Sequence, residues 1–311
     1  MNRMKNIILL PALLLLVATG LFAQRIIEVT YKQDAKGNYQ FYCTNNAYCD
    51  YILEINFSSL ENAKPDHVMP FRGEVKPGSN KLFNVLKENA NNPIQFKYTS
   101  RYNKGCIDPK VDSNFVYMLP IAAGKEAQAY ELTNAEKPGP GEPQPKDWYM
   151  IRLRMKPGDT IYSARRGVVT EVEVGSNLND SGVASIGSEN YIEIVHADCS
   201  FGHYGILKRN SSFVKPGQFV EAGVPIGLVG GDKYGRGSDA RFSVYYNIEE
   251  MEGSNVKTYS LYIPLLFWTK NNGKGKLKHG AMYISEHPAT IISQEKPKTQ
   301  KKGKTKQQVR S

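Results

Sequence analysis

Short stretches of alternating hydrophobic and polar residues occupy the first half of the chain. Glycine, proline and asparagine residues, which favour turns, separate the stretches. Alternation with a period of two directs successive side chains to opposite faces of a β-strand. The stretches lie at residues 26–31, 39–44, 51–57, 71–75, 94–100 and 115–120. Short strands at this spacing predict a β-sandwich of the immunoglobulin type. Residues 80–89 show no clear period, and a short helix is an alternative to a strand there.

The second half of the chain shows the same alternation, with glycine at the turns. Strands are predicted at residues 160–164, 167–174, 191–196, 201–207, 240–248 and 261–268. Pro216 and Gly217 suit a tight turn, because proline fixes φ and glycine accepts a positive φ. No stretch keeps a helical period of ~3.6 residues. The sequence therefore predicts an all-β protein.

Two segments of biased composition divide the chain. Residues 137–146, K-P-G-P-G-E-P-Q-P-K, are typical of an extended linker, because proline and glycine disfavour both helix and sheet pairing. Residues 293–311 are rich in lysine and glutamine, which predicts a disordered basic tail. The remaining divisions are a signal peptide at 1–23, a sandwich domain at 24–136 and a second β-domain at 147–292.

The N-terminus has the pattern of a secretory signal. Arg3 and Lys5 precede an apolar run at residues 7–22, and the small residue Ala23 offers a cleavage point. The run is shorter than the ~20 apolar residues that a membrane-spanning helix needs, and it contains Pro11. We expect cleavage after Ala23 and a secreted protein, periplasmic or at the cell surface, without a transmembrane segment. An uncleaved anchor is the alternative.

Four cysteines would then lie in a compartment that permits disulfides. Their spacings match no C-x-x-C metal pair. Cys43 and Cys49 flank a short polar stretch and are candidates for a disulfide that closes a hairpin loop. Cys106 and Cys199 are far apart along the chain, and the sequence alone leaves every pairing open.

The net charge of the chain is +10, but the ends of the chain carry most of it. Residues 293–311 contribute +6 and residues 1–6 contribute +2, which leaves +2 for the rest. Nucleic-acid binding needs basic side chains clustered on a folded domain, so a nucleic-acid partner is not expected. The tail is either a solvated extension or a segment that binds anionic envelope polymers.

Four blocks of the second domain carry a resemblance to a known family. Residues 158–169, G-D-T-I-Y-S-A-R-R-G-V-V, resemble G-T-P-V-Y-A-A-x-D-G-V-V, and residues 190–196 resemble G-x-x-V-x-I-x-H. Residues 214–230 resemble V-x-x-G-x-x-V-x-x-G-x-x-I-G-x-x-G, and residues 241–247, R-F-S-V-Y-Y-N, resemble H-F-E-V-Y-Y-N. These are motifs of the lysostaphin/LytM-type zinc metallopeptidases, which cut peptide cross-links in bacterial cell walls. The resemblance covers residues 148–246 and implies a LytM-like β-domain of the barrel-sandwich type.

The same resemblance implies a zinc site built from H-x-x-x-D, Y-A-H-L and H-x-H motifs. By position, Trp148, Arg152 and Arg241 replace the zinc ligands, and Ile206 and Asp239 replace the accessory histidines. A guanidinium group offers only hydrogen-bond donors and a permanent positive charge, so it cannot ligate zinc. We therefore expect a degenerate site with no catalytic residue and no metal.

An ion pair is expected to replace the metal in the groove of this domain. Arg152 and Arg241 would flank the former metal position, and at least one of them would pair with Asp239. Together with Tyr204 they are the candidate groove-binding residues.

A displaced zinc site at His196, Asp198 and His203 is a weaker alternative. These residue types can ligate zinc, but they meet only if the turn between their strands is tight. His196 also matches a framework position of the family pattern and not a catalytic one.

The first functional hypothesis is a non-catalytic member of the family that needs no cofactor. It would bind peptidoglycan, or a peptide or protein partner at the cell envelope, or regulate wall hydrolases. The alternative is an active zinc metalloendopeptidase that cleaves peptidoglycan cross-links through ligands at other positions. A surface protein that uses the sandwich domain for assembly is a third hypothesis.

Overall fold

The computed structural model describes residues 25–132, 144–175, 189–231, 238–253 and 255–295. These residues form twenty-two strands and one short helix, which confirms the prediction of an all-β protein. No helix among them is long and apolar enough to cross a membrane. The predicted signal peptide, residues 137–143 of the predicted linker and the tail from residue 296 lie outside the described residues.

Seven strands form the first domain: β1 (Ile27–Gln33), β2 (Tyr39–Asn45), β3 (Tyr51–Glu61), β4 (Ala63–Pro65), β5 (Phe71–Val75), β6 (Gly78–Lys87) and β7 (Gln95–Lys104). They make two antiparallel sheets, with strand orders β1-β2-β6-β4 and β5-β3-β7. Alternate side chains of both sheets, such as Phe41 of β2 and Leu53 of β3, share one hydrophobic core. The chain therefore folds here as two sheets around a common core.

Residues 78–87 form strand β6, and not the short helix that the sequence allows for residues 80–89. Phe83 and Val85 are buried, whereas Asn84 is half-buried and Leu86 is exposed. β6 pairs with β2 on one side and with β4 on the other. An interior strand buries alternate residues, and this long-range pairing decides a period that the local sequence leaves open.

The second domain contains the remaining elements: β8 (Val116–Met118), β9 (Glu126–Leu132), β10 (Gln144–Lys146), β11 (Met150–Arg154), β12 (Thr160–Tyr162), β13 (Gly167–Glu173), β14 (Tyr191–Val195), β15 (Phe201–Gly205), β16 (Phe219–Val220), β17 (Pro225–Leu228), β18 (Asp239–Glu252), β19 (Asn255–Tyr262), β20 (Leu266–Thr269), β21 (Gly273–Gly275), β22 (Met282–Ile284) and α1 (Ala289–Ile292). The main sheet has the order β16-β13-β14-β15-β18-β11-β9-β22, and β19 pairs with β18 and β10. One face of this sheet packs on the core of the domain.

The boundary between the two domains differs from the prediction of residue 136. β8 pairs with β20, and β9 lies between β11 and β22, so both strands belong to the second domain. Leu119, Ile121 and Ala129 are buried in its core. The end of the predicted linker forms β10, which pairs in parallel with β19. These pairings join residues far apart along the chain, so composition alone misplaces the boundary.

The predicted tail also begins too early. Gln294 donates a hydrogen bond to the carbonyl of Val116 at 2.6 Å, and Glu295 forms an ion pair with Arg165 at 2.6 Å. The Arg165 side chain is buried, and its guanidinium lies 3.9 Å from the centre of the Phe115 ring. Residues 293–295 are therefore held on the second domain.

The disulfide joins Cys106 to Cys199, and not Cys43 to Cys49. Cys43 lies in β2 and Cys49 just before β3, and these strands belong to different sheets, so no hairpin connects them. Both free thiols are buried, and burial raises the pKa of Cys43 to about 11 and that of Cys49 to about 12. Cys106 follows β7 and Cys199 lies in the turn between β14 and β15, so the bond links the two domains.

Other contacts between the domains surround the disulfide. Phe201 of β15 is fully buried in the core of the first domain. Lys104 of β7 forms ion pairs with Glu193 and with Glu171, the latter at 2.5 Å. Burial raises the pKa of Glu193, but the Lys104 ammonium and a hydrogen bond from Tyr245 hold it below its usual value. Further interdomain hydrogen bonds join Arg72 and Asn103 to Glu249 of β18.

Candidate functional site

The candidate site lies on the face of the main sheet opposite the core of the second domain. In β18, Ala240 and Phe242 belong to the core, whereas Asp239 and Arg241 alternate with them and project from the other face. Directly paired residues of an antiparallel sheet share a face. Arg152 of β11 is paired with Arg241 and therefore lies on this polar face.

Asp239 lies between the two guanidinium groups of Arg152 and Arg241. Its carboxylate oxygens are 3.5 Å from Nε of Arg152 and 3.7 Å from Nε of Arg241. Both Nε atoms are buried and lack hydrogen-bond partners within the described residues, so these contacts are ion pairs. Burial raises the pKa of Asp239, while Arg241 and Arg152 act in the opposite direction. Both arginines therefore pair with Asp239, where the sequence predicts at least one.

Glu189 is the second carboxylate of the site. Its Oε2 accepts a hydrogen bond from Nη1 of Arg241 at 3.1 Å, and its Oε1 lies 3.2 Å from Nε2 of His203. The Glu189 side chain is fully buried. It lies over Gly205 of β15, where a β-carbon would come within 2.2 Å of Oε1. Gly205 therefore leaves the space in which Glu189 reaches Arg241.

Aromatic rings border the site on both sides. The guanidinium of Arg152 lies 4.5 Å from the centre of the Tyr130 ring of β9, a distance typical of a cation–π contact. On the other side, His203 stacks on Tyr191 of β14, with ring centres 4.8 Å apart. The Tyr191 hydroxyl donates to Glu171 at 2.7 Å. The polar face is thus one network that reaches from β9 to β13.

The sequence predictions missed Glu189, Tyr130 and Gly205. Glu189 lies two residues before β14 and matches no family motif, although a half-buried arginine at position 241 requires a carboxylate nearby. Tyr130 is predicted within the first domain, so its contact with Arg152 depends on the pairing of β9 with β11. The contacts of Glu189 and Tyr130 therefore depend on residues that are far apart along the chain, which a local sequence pattern does not show.

Three of the predicted site residues lie elsewhere. Tyr204, predicted to line the groove, is fully buried on the core face, and its hydroxyl accepts a hydrogen bond from the Ala164 amide at 2.8 Å. Because side chains alternate along β15, His203 and Gly205 lie on the polar face and Tyr204 lies on the core face. Ile206 is fully buried, and Trp148 is buried with its ring near that of Tyr262.

The residues of the alternative zinc site are not brought together. Nδ1 of His196 lies 2.9 Å from the carbonyl of Arg166, and Asp198 accepts a hydrogen bond from Arg165 at 2.8 Å. His203 lies on the polar face beside Glu189, whereas His196 is buried. Burial, together with the positive charge of Arg165, lowers the pKa of His196 to about 3.

The donor atoms at the family's ligand positions do not fit zinc. Trp148, Arg152 and Arg241 offer no lone pair suited to the ion, and the two arginines repel a dication. Within the described residues, one group of three potential ligands is close enough to share a metal: Asp50, Glu74 and Cys106. Cys106 is oxidised in the disulfide and offers no thiolate.

Comparisons with known proteins agree with this fold. Residues 146–256 match the model of peptidase family M23. The matched residues lie in the second domain, which is therefore similar to peptidase family M23 over this segment. This confirms the resemblance found in residues 148–246. No curated protein matches the chain.

Several solved structures are similar to parts of this chain. Lysostaphin from Staphylococcus simulans is 23% identical over 36% of this chain and 44% of its own, with a TM-score of 0.26. The lysostaphin catalytic domain is 19% identical over 43% of this chain and 86% of its own, with a TM-score of 0.27. Csd3 of Helicobacter pylori is 13% identical over 80% of this chain and 77% of its own, with a TM-score of 0.30. The match thus spans less than half of whole lysostaphin.

Proposed function

We propose that the M23 domain of this protein is non-catalytic and binds a peptide carboxylate at the cell envelope. The observation that carries the proposal is the cross-strand pair of Arg152 and Arg241 at positions where the family resemblance implies zinc ligands. The ligand would be a carboxylate of a wall peptide, or an acidic group of a protein such as a wall hydrolase.

The arginines have donors to spare for such a ligand. Arg152 makes no hydrogen bond within the described residues and is held by the Asp239 ion pair and the Tyr130 ring. Among the described residues, Arg241 donates one hydrogen bond, to Glu189. Their side chains remain 14% and 20% exposed, so a ligand can reach them. A planar guanidinium suits a carboxylate because it can donate two parallel hydrogen bonds to it.

The neighbouring groups would hold the arginines in place for binding. Asp239 and Glu189 are nearly inaccessible, with side-chain exposures of 6% and 0%. They balance the charge of the two arginines from below the surface. Tyr130 restrains the Arg152 guanidinium from one side. Fixed donors lose less side-chain entropy when the ligand binds, which increases affinity.

Titration calorimetry with short wall-type peptides in the presence of a chelator tests the proposal. A peptide with a free C-terminal carboxylate should bind more tightly than its amide. Arg152→Gln should weaken binding of the acid by about 10-fold or more, since a charge-assisted hydrogen bond contributes ~1.5–3 kcal/mol. Arg101→Gln is the matched control, because Arg101 forms a similar pair with Glu54 in the first domain. Equal binding of the acid and the amide would contradict the proposal.

The competing hypothesis is an active zinc endopeptidase. We expect purified protein to contain no stoichiometric zinc by mass spectrometry of the metal. We also expect the protein to show no chelator-sensitive hydrolysis of cross-linked peptidoglycan. Chelator-sensitive cleavage by protein with one bound zinc would overturn the non-catalytic assignment.

The envelope location rests on the predicted signal peptide at residues 1–23. N-terminal sequencing of the exported protein should begin at Gln24, and an intact N-terminus would contradict this part of the proposal. For the basic tail, retention at the cell surface that weakens with salt would support binding to anionic polymers.

A further inference from the structure

The first domain has a long edge strand without a neighbour. β7 pairs along its length with β3, and its other side has no strand partner within the described residues. It spans ten residues, and none of them is fully buried. Such an edge presents a row of backbone N–H and C=O groups to which another strand can add. At its end, the carbonyl of Lys104 already accepts a hydrogen bond from Asn247 of the second domain, so the open edge ends before Lys104.

Two side chains of β7 on the side of the core are exposed. Ser100 and Tyr102 pair with Ile55 and Leu53 of β3, whose side chains are fully buried. Ser100 and Tyr102 are nevertheless exposed, with Tyr102 at 41%. Tyr31 of β1, the edge of the other sheet, is 47% exposed. Edge residues on the core side are open because no strand follows β7 in its sheet.

The chain itself turns away from this position. Directly after β7, Cys106 is bonded to Cys199 of the second domain. The next strand, β8, pairs with β20 there. The strand that follows β7 along the chain is thus part of the other domain.

We propose that two copies of the protein associate by antiparallel pairing of their β7 strands around a two-fold axis at Ser100. The two sheets of strand order β5-β3-β7 would then form one continuous sheet. Directly paired residues share a face of the sheet, so the axis must lie at a residue.

The charges along β7 select this axis. With Ser100 opposite its copy, Thr99 faces Arg101, and Lys97 faces Asn103. An axis at Thr99 would place Lys97 of one copy opposite Arg101 of the other. An axis at Arg101 would place the two copies of that arginine opposite each other. Like charges directly opposite each other are destabilising. Axes at Tyr98 and Tyr102 also avoid opposed like charges, but over the full length of β7 they pair fewer residues than the axis at Ser100 does.

The same axis covers the exposed core-side residues. Tyr98 of one copy faces Tyr102 of the other, and the symmetry repeats the pair. Aromatic pairs directly opposite each other on one face of a sheet are favourable. An axis moved to Tyr98 would leave Tyr102 outside the paired region. The exposed strip and the charge pattern therefore indicate the same register.

A cysteine at the axis tests the register directly. In the full mature chain, Ser100→Cys should form a disulfide-linked dimer under mild oxidation, because the two residues face each other. Thr30→Cys, at an exposed position of the other edge strand, is the matched control and should stay monomeric. The native free thiols Cys43 and Cys49 are buried. Equal cross-linking of both variants, or none of Ser100→Cys, would overturn the proposal.

Sedimentation equilibrium gives a second, independent test. The wild-type chain should show a concentration-dependent monomer–dimer equilibrium. Ser100→Lys should raise the dissociation constant at least 10-fold by opposing two ammonium groups, and Thr30→Lys should not. Thr99→Glu should lower it several-fold, because the new carboxylate faces Arg101 of the partner copy. A wild-type protein that stays monomeric at all concentrations would refute the proposal, as would a higher dimer dissociation constant for Thr99→Glu. A β7 edge that binds a foreign peptide strand but not a second copy would also refute it.

Discussion

Glu189 lies directly over Gly205, so close that a β-carbon at residue 205 would be 2.2 Å from the carboxylate oxygen Oε1. The strand thus accommodates a buried carboxylate only because this position has no side chain. The carboxylate in turn neutralises Arg241 and contacts His203. One glycine therefore leaves the space for the second carboxylate that pairs with Arg241, in addition to Asp239.

Replacing Gly205 with alanine should displace the Glu189 carboxylate and break its pair with Arg241. We expect a loss of about 3–5 kcal/mol in the free energy of unfolding, because the fully buried Glu189 carboxylate is separated from the Arg241 guanidinium. Urea denaturation of the two proteins measures the difference. Gly275→Ala is the control, since a β-carbon there meets no atom within 4 Å. Equal stability of the Gly205→Ala and Gly275→Ala variants would contradict the role of Gly205.

The coupling between Arg241 and Glu189 should exceed that of a surface pair. A double-mutant cycle with Arg241→Gln and Glu189→Gln should give an interaction energy of about 1.5–3 kcal/mol, because Glu189 is fully buried. The control cycle uses Arg101→Gln and Glu54→Gln, whose side chains are 40% and 22% exposed. We expect about 0.2–1 kcal/mol there, since water screens the pair. Equal coupling in the two cycles would show that burial does not strengthen the Arg241 pair.

Local sequence patterns predicted what depends on near neighbours. The all-β class follows from alternation, and the contact of Asp239 with Arg241 follows from their spacing along one strand. Long-range pairing decided the rest. Glu189 reaches Arg241 across β15, and Tyr130 reaches Arg152 from a strand predicted in the other domain. No pattern within a single strand records which strands become neighbours.

The cysteines illustrate the same limit. Cys43 and Cys49 are close in sequence but lie on strands of different sheets, whereas Cys106 and Cys199 meet because the domains pack together. Closeness along the chain suggested a hairpin that the sheets do not form. The docking of two domains cannot be read from the cysteine spacing.

The disulfide should stabilise the packing of the two domains. Cys106→Ser should lower the free energy of unfolding by about 2–4 kcal/mol, because the bond restricts the unfolded chain. Cys199 has a φ of 68°, which costs a residue with a side chain about 1–2 kcal/mol. Cys199→Gly should therefore be less destabilising than Cys199→Ser by about 1 kcal/mol. Urea denaturation compares the three variants. The same stability for Cys199→Gly and Cys199→Ser would show that no backbone strain is relieved.

Stability should fall in mild acid because of His196. Burial and Arg165 lower its pKa in the folded protein to about 3, whereas an unfolded chain has the ordinary value near 6.5. Below that ordinary value, His196 takes up a proton in the unfolded chain but stays neutral in the folded protein. The stabilising contribution is therefore complete above about pH 6.5 and decreases by about 1.4 kcal/mol per pH unit as the pH falls. Urea denaturation between pH 7 and pH 5 measures this slope, because most carboxylates take up protons only at lower pH.

His196→Asn tests whether His196 causes that slope. The asparagine amide can donate to the Arg166 carbonyl as Nδ1 of His196 does, and it does not titrate. The variant should be less stable at pH 7 but should lose much less stability between pH 7 and pH 5. His67→Asn, at an exposed position, is the control and should keep the wild-type slope. If His196→Asn lost as much unfolding free energy as the wild type between pH 7 and pH 5, a group other than His196 would have to bind the proton.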